Sequence, residues 1–160
     1  DGTLWLHLGR DKYLAGGMAT GRWAGLAGYP WKCAIALRDE GWILCASITL
    51  RGRAHGPVVG RPRCASEMLF LLAKSRQHYW CDCPRDDVWT VDEPPVRYGL
   101  FATLPESVAS PCVVAGCPEG GLVLDPFAGT GVVPRVAERL GRRGVGFDLS
   151  SSAFAVGLGR

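Results

Sequence analysis

The segment that most restricts what this chain can fold into is Asp125-Pro126-Phe127-Ala128-Gly129-Thr130-Gly131, set directly behind the apolar run Leu122-Val123-Leu124. The apolar run reads as a short buried strand, and Gly129 and Gly131 remove side chains that would block a ligand. A helix is predicted from Val132 onward. Val133, Val136, Ala137 and Leu140 recur at helical spacing, Arg135, Glu138 and Arg139 occupy the other side, and Gly141 stops it. Pro134 falls in the first turn, where its missing donor is tolerated. Beyond Arg142-Arg143, Gly144-Val145-Gly146-Phe147 reads as a second strand that delivers Asp148 to its carboxyl end. A strand, loop and helix of this kind aim free backbone N–H groups and the positive helix end at a polar or anionic ligand.

Two cofactor classes use that geometry. A dinucleotide fingerprint asks for a third glycine, three residues after the second, for close helix packing. Here that position is Pro134, which weakens an NAD assignment. A carboxylate at Asp148 can accept hydrogen bonds from both hydroxyls of a ribose, which suits NAD and S-adenosylmethionine equally. The bland alternative is an ordinary strand-to-helix turn, with Asp148 capping a helix that begins near Ser150.

The flanking sequence carries more. Phe101-Ala102-Thr103-Leu104-Pro105-Glu106, then Pro111 to Gly121, then Leu124 to Gly131 follow one another in an order that strongly resembles the amino-group DNA methyltransferases, the N6-adenine and N4-cytosine enzymes. In the permuted subgroup of that family, the segment closing the methionine end of the cofactor pocket immediately precedes the glycine loop. The resemblance continues upstream through Asp1 to Gly9, Tyr29-Pro30-Trp31-Lys32 to Trp42, and Ser66 to Arg76, and so covers nearly the whole chain.

The resemblance implies a doubly wound, Rossmann-like α/β sheet of strand order 3-2-1-4-5-7-6. It implies S-adenosylmethionine as cofactor, with Asp125, Phe127, Gly129 and Gly131 around its methionine and sulfonium portion and Asp148 on its ribose. Thr103, Leu104 and Pro105 would close the methionine end, although Leu100 stands where many relatives have His. Double-stranded DNA is the implied partner, with a restriction endonuclease of the same system as a further one. Residues 1–99 would be a catalytic half with a basic loop and a recognition or linker segment, and residues 100–160 the cofactor module, together one domain. The expected elements are a strand at Thr3 to Leu8, a helix from Pro30 to Glu40, and strands at Ile43 to Leu50 and Glu67 to Leu72.

The family's catalytic signature, an Asp, Asn or Ser followed by two prolines and an aromatic residue, occurs nowhere in the 160 residues. Glu93-Pro94-Pro95-Val96 has the prolines without the aromatic residue and is assigned to a linker. The expected sheet is therefore incomplete: strand 4, which carries the signature between the glycine-loop strand and the Thr3 strand, is missing, and each neighbour exposes an unpaired edge. The resemblance then implies a fragment of a longer reading frame, inactive alone, and nominates no catalytic residue. A non-catalytic cofactor-binding remnant, an NAD-linked oxidoreductase and a small-molecule or RNA methyltransferase remain as alternatives.

Composition adds modest constraints. With 48% hydrophobic and 21% charged residues the chain is ordinarily globular, and neither a membrane-crossing run nor a signal peptide is present, so a cytoplasmic location is expected. A net charge of +3 suggests nucleic acid only where it clusters. Arg51, Arg53, His55, Arg61 and Arg63 in a Gly/Pro-rich loop, with Lys74 and Arg76 after the next strand, are candidate phosphate contacts; solvated loop charges are the alternative. Seven cysteines include Cys81-x-Cys83 and Cys112-x4-Cys117, spacings that fit structural zinc poorly. Buried thiols are expected at Cys112 and Cys117. Trp5, Trp31 and Trp42 are expected in the core, and packing is favoured over base stacking for Trp80 and Trp89. His7, His55 and His78 suggest no catalytic pair.

Overall fold

The computed structural model describes residues 2–9, 26–52, 64–81, 86–91, 97–98 and 101–151. They form two compact units, one of Thr3–Gln77 with Asp86–Thr90, the other of His78–Arg85 with Val91–Arg160.

The first unit is built on Leu69-Phe70-Leu71-Leu72-Ala73, an apolar run with no alternation that must be covered on both faces. It lies in β3 (Ser66–Ala73), which takes the inner position between β1 (Thr3–His7) and β2 (Ile43–Arg51) and runs antiparallel to both. The order β1-β3-β2 is the 5-7-6 portion of the expected sheet. A register shift between Leu44 and Ala46 bulges β2 at Cys45. On the far side of β2, β4 (Val88–Thr90) pairs in parallel. The sequence reading has no strand here, only a recognition or linker segment, because three residues whose pairing depends on the distant Thr49, Leu50 and Arg51 leave no periodicity of their own.

Helix α1 (Tyr29–Asp39) covers this sheet through Ala34, which is fully buried with Phe70 and Leu72. Leu4, Leu6, Leu37, Trp42, Leu44 and Met68 surround them. Trp42 meets the core expectation, and the Nζ of Lys74 lies 4.4 Å from its ring centroid. Trp5 is partly buried, its ring 6.2 Å from that of Trp89, whose Nε1 donates to the Asp86 carbonyl. Trp31 and Trp80 depart from expectation. Trp31 places an edge on Phe70 at 4.9 Å yet is 44% exposed, and Trp80 is 41% exposed. Helix α1 opens at Gly28, which has a φ of 67° and only the Lys32 Cε within 4 Å of where a Cβ would stand. Gly28→Ala is therefore expected to cost about 1 kcal/mol, from backbone conformation rather than collision, as measured by equilibrium denaturation.

The second unit contains the strand pair β5 (Arg97–Tyr98) and β6 (Phe101–Ala102), then α2 (Glu106–Gly116), β7 (Leu122–Asp125), α3 (Val132–Arg139) and β8 (Arg143–Gly146). Strands β7 and β8 are parallel and, among the described residues, pair only with each other. Ala109 and Val113 of α2 meet Val132, Val136 and Ala137 of α3 in a buried cluster bordered by Leu104, Val123, Val133 and Leu140. The helical spacing read from the sequence thus names the face of α3 that is buried. Cys112 Sγ donates to the Val108 carbonyl, and burial pushes this thiol up to about 12. Cys117 is buried, whereas Cys112, expected to be so, is only partly buried by its accessible surface. Cys83 lies outside the described residues.

Pro134 does not prevent close packing of α3 on the strand. The close helix-strand approach for which a third glycine was sought is present, with the glycines on the strand. A Cβ on Gly144 would lie 2.3 Å from the Pro134 carbonyl oxygen, and one on Gly146 would lie 2.7 Å from Ala128 Cβ and 2.9 Å from Pro134 Cγ. Proline on α3 is accommodated because β8 has no side chains beneath it.

Candidate functional site

The loop after β7 is held by a small set of bonds. Gly129 and Gly131 have φ of 53° and 74°, left-handed values that side chains disfavour, and Gly131 opens α3. Phe147 N–H donates to the Asp125 carbonyl at 2.9 Å, and Ala128 N–H returns a bond to the Phe147 carbonyl at 2.8 Å. Asp125 Oδ1 accepts the Phe127 N–H at 3.0 Å. Asp148 Oδ2 accepts the Gly129 N–H at 2.7 Å, and its Oδ1 accepts the Ser150 N–H at the same distance. Arg135, on the first turns of α3, donates from Nη1 to the Thr130 carbonyl at 2.7 Å.

These residues enclose an open pocket of about 250 Å³ lined by Thr103, Leu104, Asp125, Phe127, Ala128, Gly129, Thr130, Val132, Val133 and Asp148. Six of the eight residues proposed for a cofactor are brought together there. Pro105 and Gly131 are not in the lining. Pro105 stands at the N-cap of α2, its carbonyl accepting from Val108 and Ala109, while Gly131 shapes the turn. Ala128, Thr130, Val132 and Val133 were missed. Val133 carried a signal that was assigned only to the core, for the first turn of α3 borders both the core and the pocket.

The pocket's charge bears on the class of ligand. Asp125 and Asp148 are its ionisable groups, and no lysine or arginine is among the described residues that line it. Burial raises the Asp125 pKa, its bond from Phe127 opposes this, and the negative charge of Asp148 adds to the rise. Two carboxylates facing one cavity favour a cationic ligand with hydroxyls to donate, and Leu104, Val132 and Val133 offer an apolar wall. A dinucleotide pyrophosphate would set like charge against Asp125, whereas Asp148, a ribose acceptor in either case, does not separate the two cofactors.

The basic residues do not form one patch. Arg51 ends β2, where it pairs with Ser66, and its Nη2 donates to Thr90 Oγ1 at 3.2 Å. Lys74 and Arg76 follow the other end of β3, roughly 25 Å away at about 3.3 Å per residue. Arg51 is at the carboxyl end of the parallel strands β1 and β2, the end at which such sheets bind ligands; Lys74 and Arg76 are at the amino end. Arg53, His55, Arg61 and Arg63, like Leu100 and Glu93 to Val96, lie outside the described residues. At the carboxyl end His7 Nε2 and Glu67 Oε2 are 2.8 Å apart, a pairing that reading the histidines one at a time had missed. Among the described residues no cluster of His, Cys, Asp or Glu could hold a metal ion, and no helix is long and apolar enough to cross a membrane.

Residues 71–157 match the model of the N6/N4 DNA methylase family. The chain belongs to this DNA methylase family. Among its relatives, the Type II methyltransferase M.SmaI of Serratia marcescens is 33% identical over 94% of this chain and 64% of its own length. M.Cfr9I of Citrobacter freundii is 31% identical over 100% of this chain and 65% of its own. This DNA methylase chain thus spans less than two thirds of either relative. The cytosine-N4-specific PvuII DNA methyltransferase shares the fold, with a TM-score of 0.76 over 98% of this chain and 61% of that one at 14% identity. The M1.HpyAVI complex with S-adenosylmethionine shares it with a TM-score of 0.68 over 84% of this chain and 70% of that one, at 16% identity. These likenesses establish the Rossmann-like α/β methylase fold, of which the described sheets are part.

Proposed function

We propose that the pocket between the glycine loop and Asp148 takes S-adenosylmethionine, and that the chain is the cofactor-binding part of a DNA methyltransferase acting on an exocyclic amino group of adenine or cytosine. The observation that carries this reading is the convergence of Asp125, Asp148 and the glycine loop on one cavity, with no basic side chain among the described residues that line it. Family membership and the M1.HpyAVI complex support it.

S-adenosylmethionine would supply a sulfonium-activated methyl group. In this reading Asp125 provides counter-charge to the cationic methionine end, and Asp148 accepts from the ribose hydroxyls. Thr103, Leu104 and Pro105 close the methionine end, while Phe127, 86% exposed at the rim, folds over the ligand. Arg51 and the loop after it contact DNA phosphates, and Lys74 and Arg76, at the opposite end of the sheet, do not. Drawing the amino hydrogens of the target base toward acceptors requires the Pro-Pro-aromatic signature, which these 160 residues do not contain. Methyl transfer is therefore assigned to this chain together with a segment that bears the signature. A DNA substrate implies the cytoplasm, and the relatives' designation as Type II methyltransferases suggests a restriction endonuclease of matching specificity.

Isothermal titration of S-adenosylmethionine and of NADH into the purified chain tests the cofactor. A saturable heat with the first and none with the second is expected; the reverse would overturn the reading. For the DNA contact, Arg51→Ala is expected to lower the slope of log affinity against log salt by about 1 on duplex DNA, the effect of one lost phosphate contact.

A further inference from the structure

The two oxygens of Asp148 are both engaged within the protein. Oδ2 holds Gly129 N–H across the chain and Oδ1 holds Ser150 N–H, each at 2.7 Å. Two further bonds tie the glycine loop to the end of β8, Phe147 N–H to the Asp125 carbonyl and Ala128 N–H to the Phe147 carbonyl, and these join backbone to backbone, independent of side-chain identity. Among the described residues Asp148 is thus the side chain that joins the β8 end to the loop, and it does so at a left-handed glycine. Glycine is the residue with the most conformational freedom to lose, so one charge-assisted bond there restricts the loop strongly.

We propose that Asp148 is a positioning residue for the glycine loop: its carboxylate fixes the Gly129 peptide before a ligand arrives and remains in place while the ligand binds. The stoichiometry of acceptors permits both roles. A carboxylate offers about four lone-pair sites; the two backbone donors use two, and two remain, as many as a pair of ribose hydroxyls requires. The two sequence readings of Asp148, helix cap and ribose acceptor, are then not exclusive, and the loop bond is a third task that neither anticipates. The part of this inference that concerns affinity rests on the proposal that the pocket takes S-adenosylmethionine; the part that concerns the loop does not.

The test has one arm without ligand and one with it. Amide hydrogen exchange at Gly129 is followed by NMR in the ligand-free chain, the Asp148→Asn chain and the Asp148→Ala chain, with the Val136 amide as internal reference. Protection of Gly129 in the parent chain is expected, with exchange at least tenfold faster in Asp148→Ala, less so in Asp148→Asn, and Val136 unchanged. An unprotected Gly129 in the parent chain, or equal exchange in parent and Asp148→Ala chains, overturns the proposal; where Asp148→Ala fails to fold, Asp148→Ser, too short to reach the Gly129 amide, takes its place. In the second arm S-adenosylmethionine and its 2′,3′-dideoxy analogue are titrated into the parent and Asp148→Asn chains. A positioning role weakens both ligands in the variant, whereas a carboxylate that serves only the ribose weakens S-adenosylmethionine alone, and that result overturns the proposal. Failure of the parent chain to bind S-adenosylmethionine counts against the assigned function, while the exchange arm still decides the loop.

Discussion

Gly144→Ala is expected to destabilise the unit containing β7, β8 and α3 by about 3 kcal/mol or more, at or above the upper end of ordinary overpacking. The added Cβ would stand 2.3 Å from the Pro134 carbonyl oxygen, 2.7 Å from its Cα and 2.8 Å from its carbonyl carbon. All three are backbone atoms, so no rotamer change relieves the collision. Helix α3 cannot simply move away, because Val136 and Ala137 are fully buried against α2. The measurement is the denaturation midpoint, with an unchanged m-value showing that stability rather than denatured-state compactness has altered. Gly146→Ala makes a useful contrast. Its Cβ would meet Pro134 Cγ at 2.9 Å and Ala128 Cβ at 2.7 Å, both side-chain atoms. Pro134→Ala is expected to rescue part of the Gly146→Ala loss and none of the Gly144→Ala loss. A Gly144→Ala chain with the parent midpoint would show that α3 does not approach β8 as closely as described.

Asp125→Asn is expected to weaken S-adenosylmethionine by tenfold or more at neutral pH while leaving the ligand-free fold as stable or more so. A hydrogen bond to a charged group is worth about 1.5–3 kcal/mol, and about 1.4 kcal/mol is tenfold in affinity. The opposite sign for stability follows from the direction of the pKa. Burial and Asp148 raise the Asp125 pKa above its unfolded value, so the folded state holds this proton more tightly than the unfolded one. The resulting stabilisation is fully present below the unfolded pKa and is lost as pH rises through the folded one. Ionised Asp125 is thus a cost to the empty fold that a cationic ligand offsets. Asparagine removes the charge and keeps an oxygen for the Phe127 N–H. Acidification of the parent chain from neutral pH into the range above the usual aspartate pKa should therefore weaken binding through Asp125, while its effect on the ligand-free fold through this group is stabilising. Titrations and melts at matched pH values check both signs. Affinity unchanged by Asp125→Asn would remove Asp125 from the site.

Glu106 and Arg139 behave in the contrary way and on a smaller scale. Their exposed bridge at 2.6 Å joins α2 to α3 and lowers the Glu106 pKa, so its contribution is present above the unfolded pKa and fades as pH falls. Solvent screening keeps such exposed pairs weak.

Much of the pocket was legible from residues 122–148 alone, and the reason is locality. The glycines, the helical spacing of Val133, Val136, Ala137 and Leu140, and a carboxylate at the end of the second strand are short-range features, set by backbone freedom and by which face must avoid water. The inner position of β3 was expected only from the strand order that the resemblance implies, since an apolar run without alternation says that both faces are covered and not which strands flank it. The exposure of Trp31 and Trp80 was not, for a large aromatic residue reports its preference for burial and not the space left for it.

What the sequence by itself determined is the strand, loop and helix around Asp125 to Gly131, the candidate cofactor residues it offers, and the absence of a Pro-Pro-aromatic signature from these 160 residues. What only the tertiary structure decided is how distant pieces meet: the three-residue β4 against Thr49, Leu50 and Arg51, the separation of Arg51 from Lys74 and Arg76, the glycines of β8 beneath Pro134, and the Asp148 bond to Gly129. Each of these depends on register or on a contact between elements. Side-chain type constrains such contacts only weakly, because their energy is not set until both partners are in place.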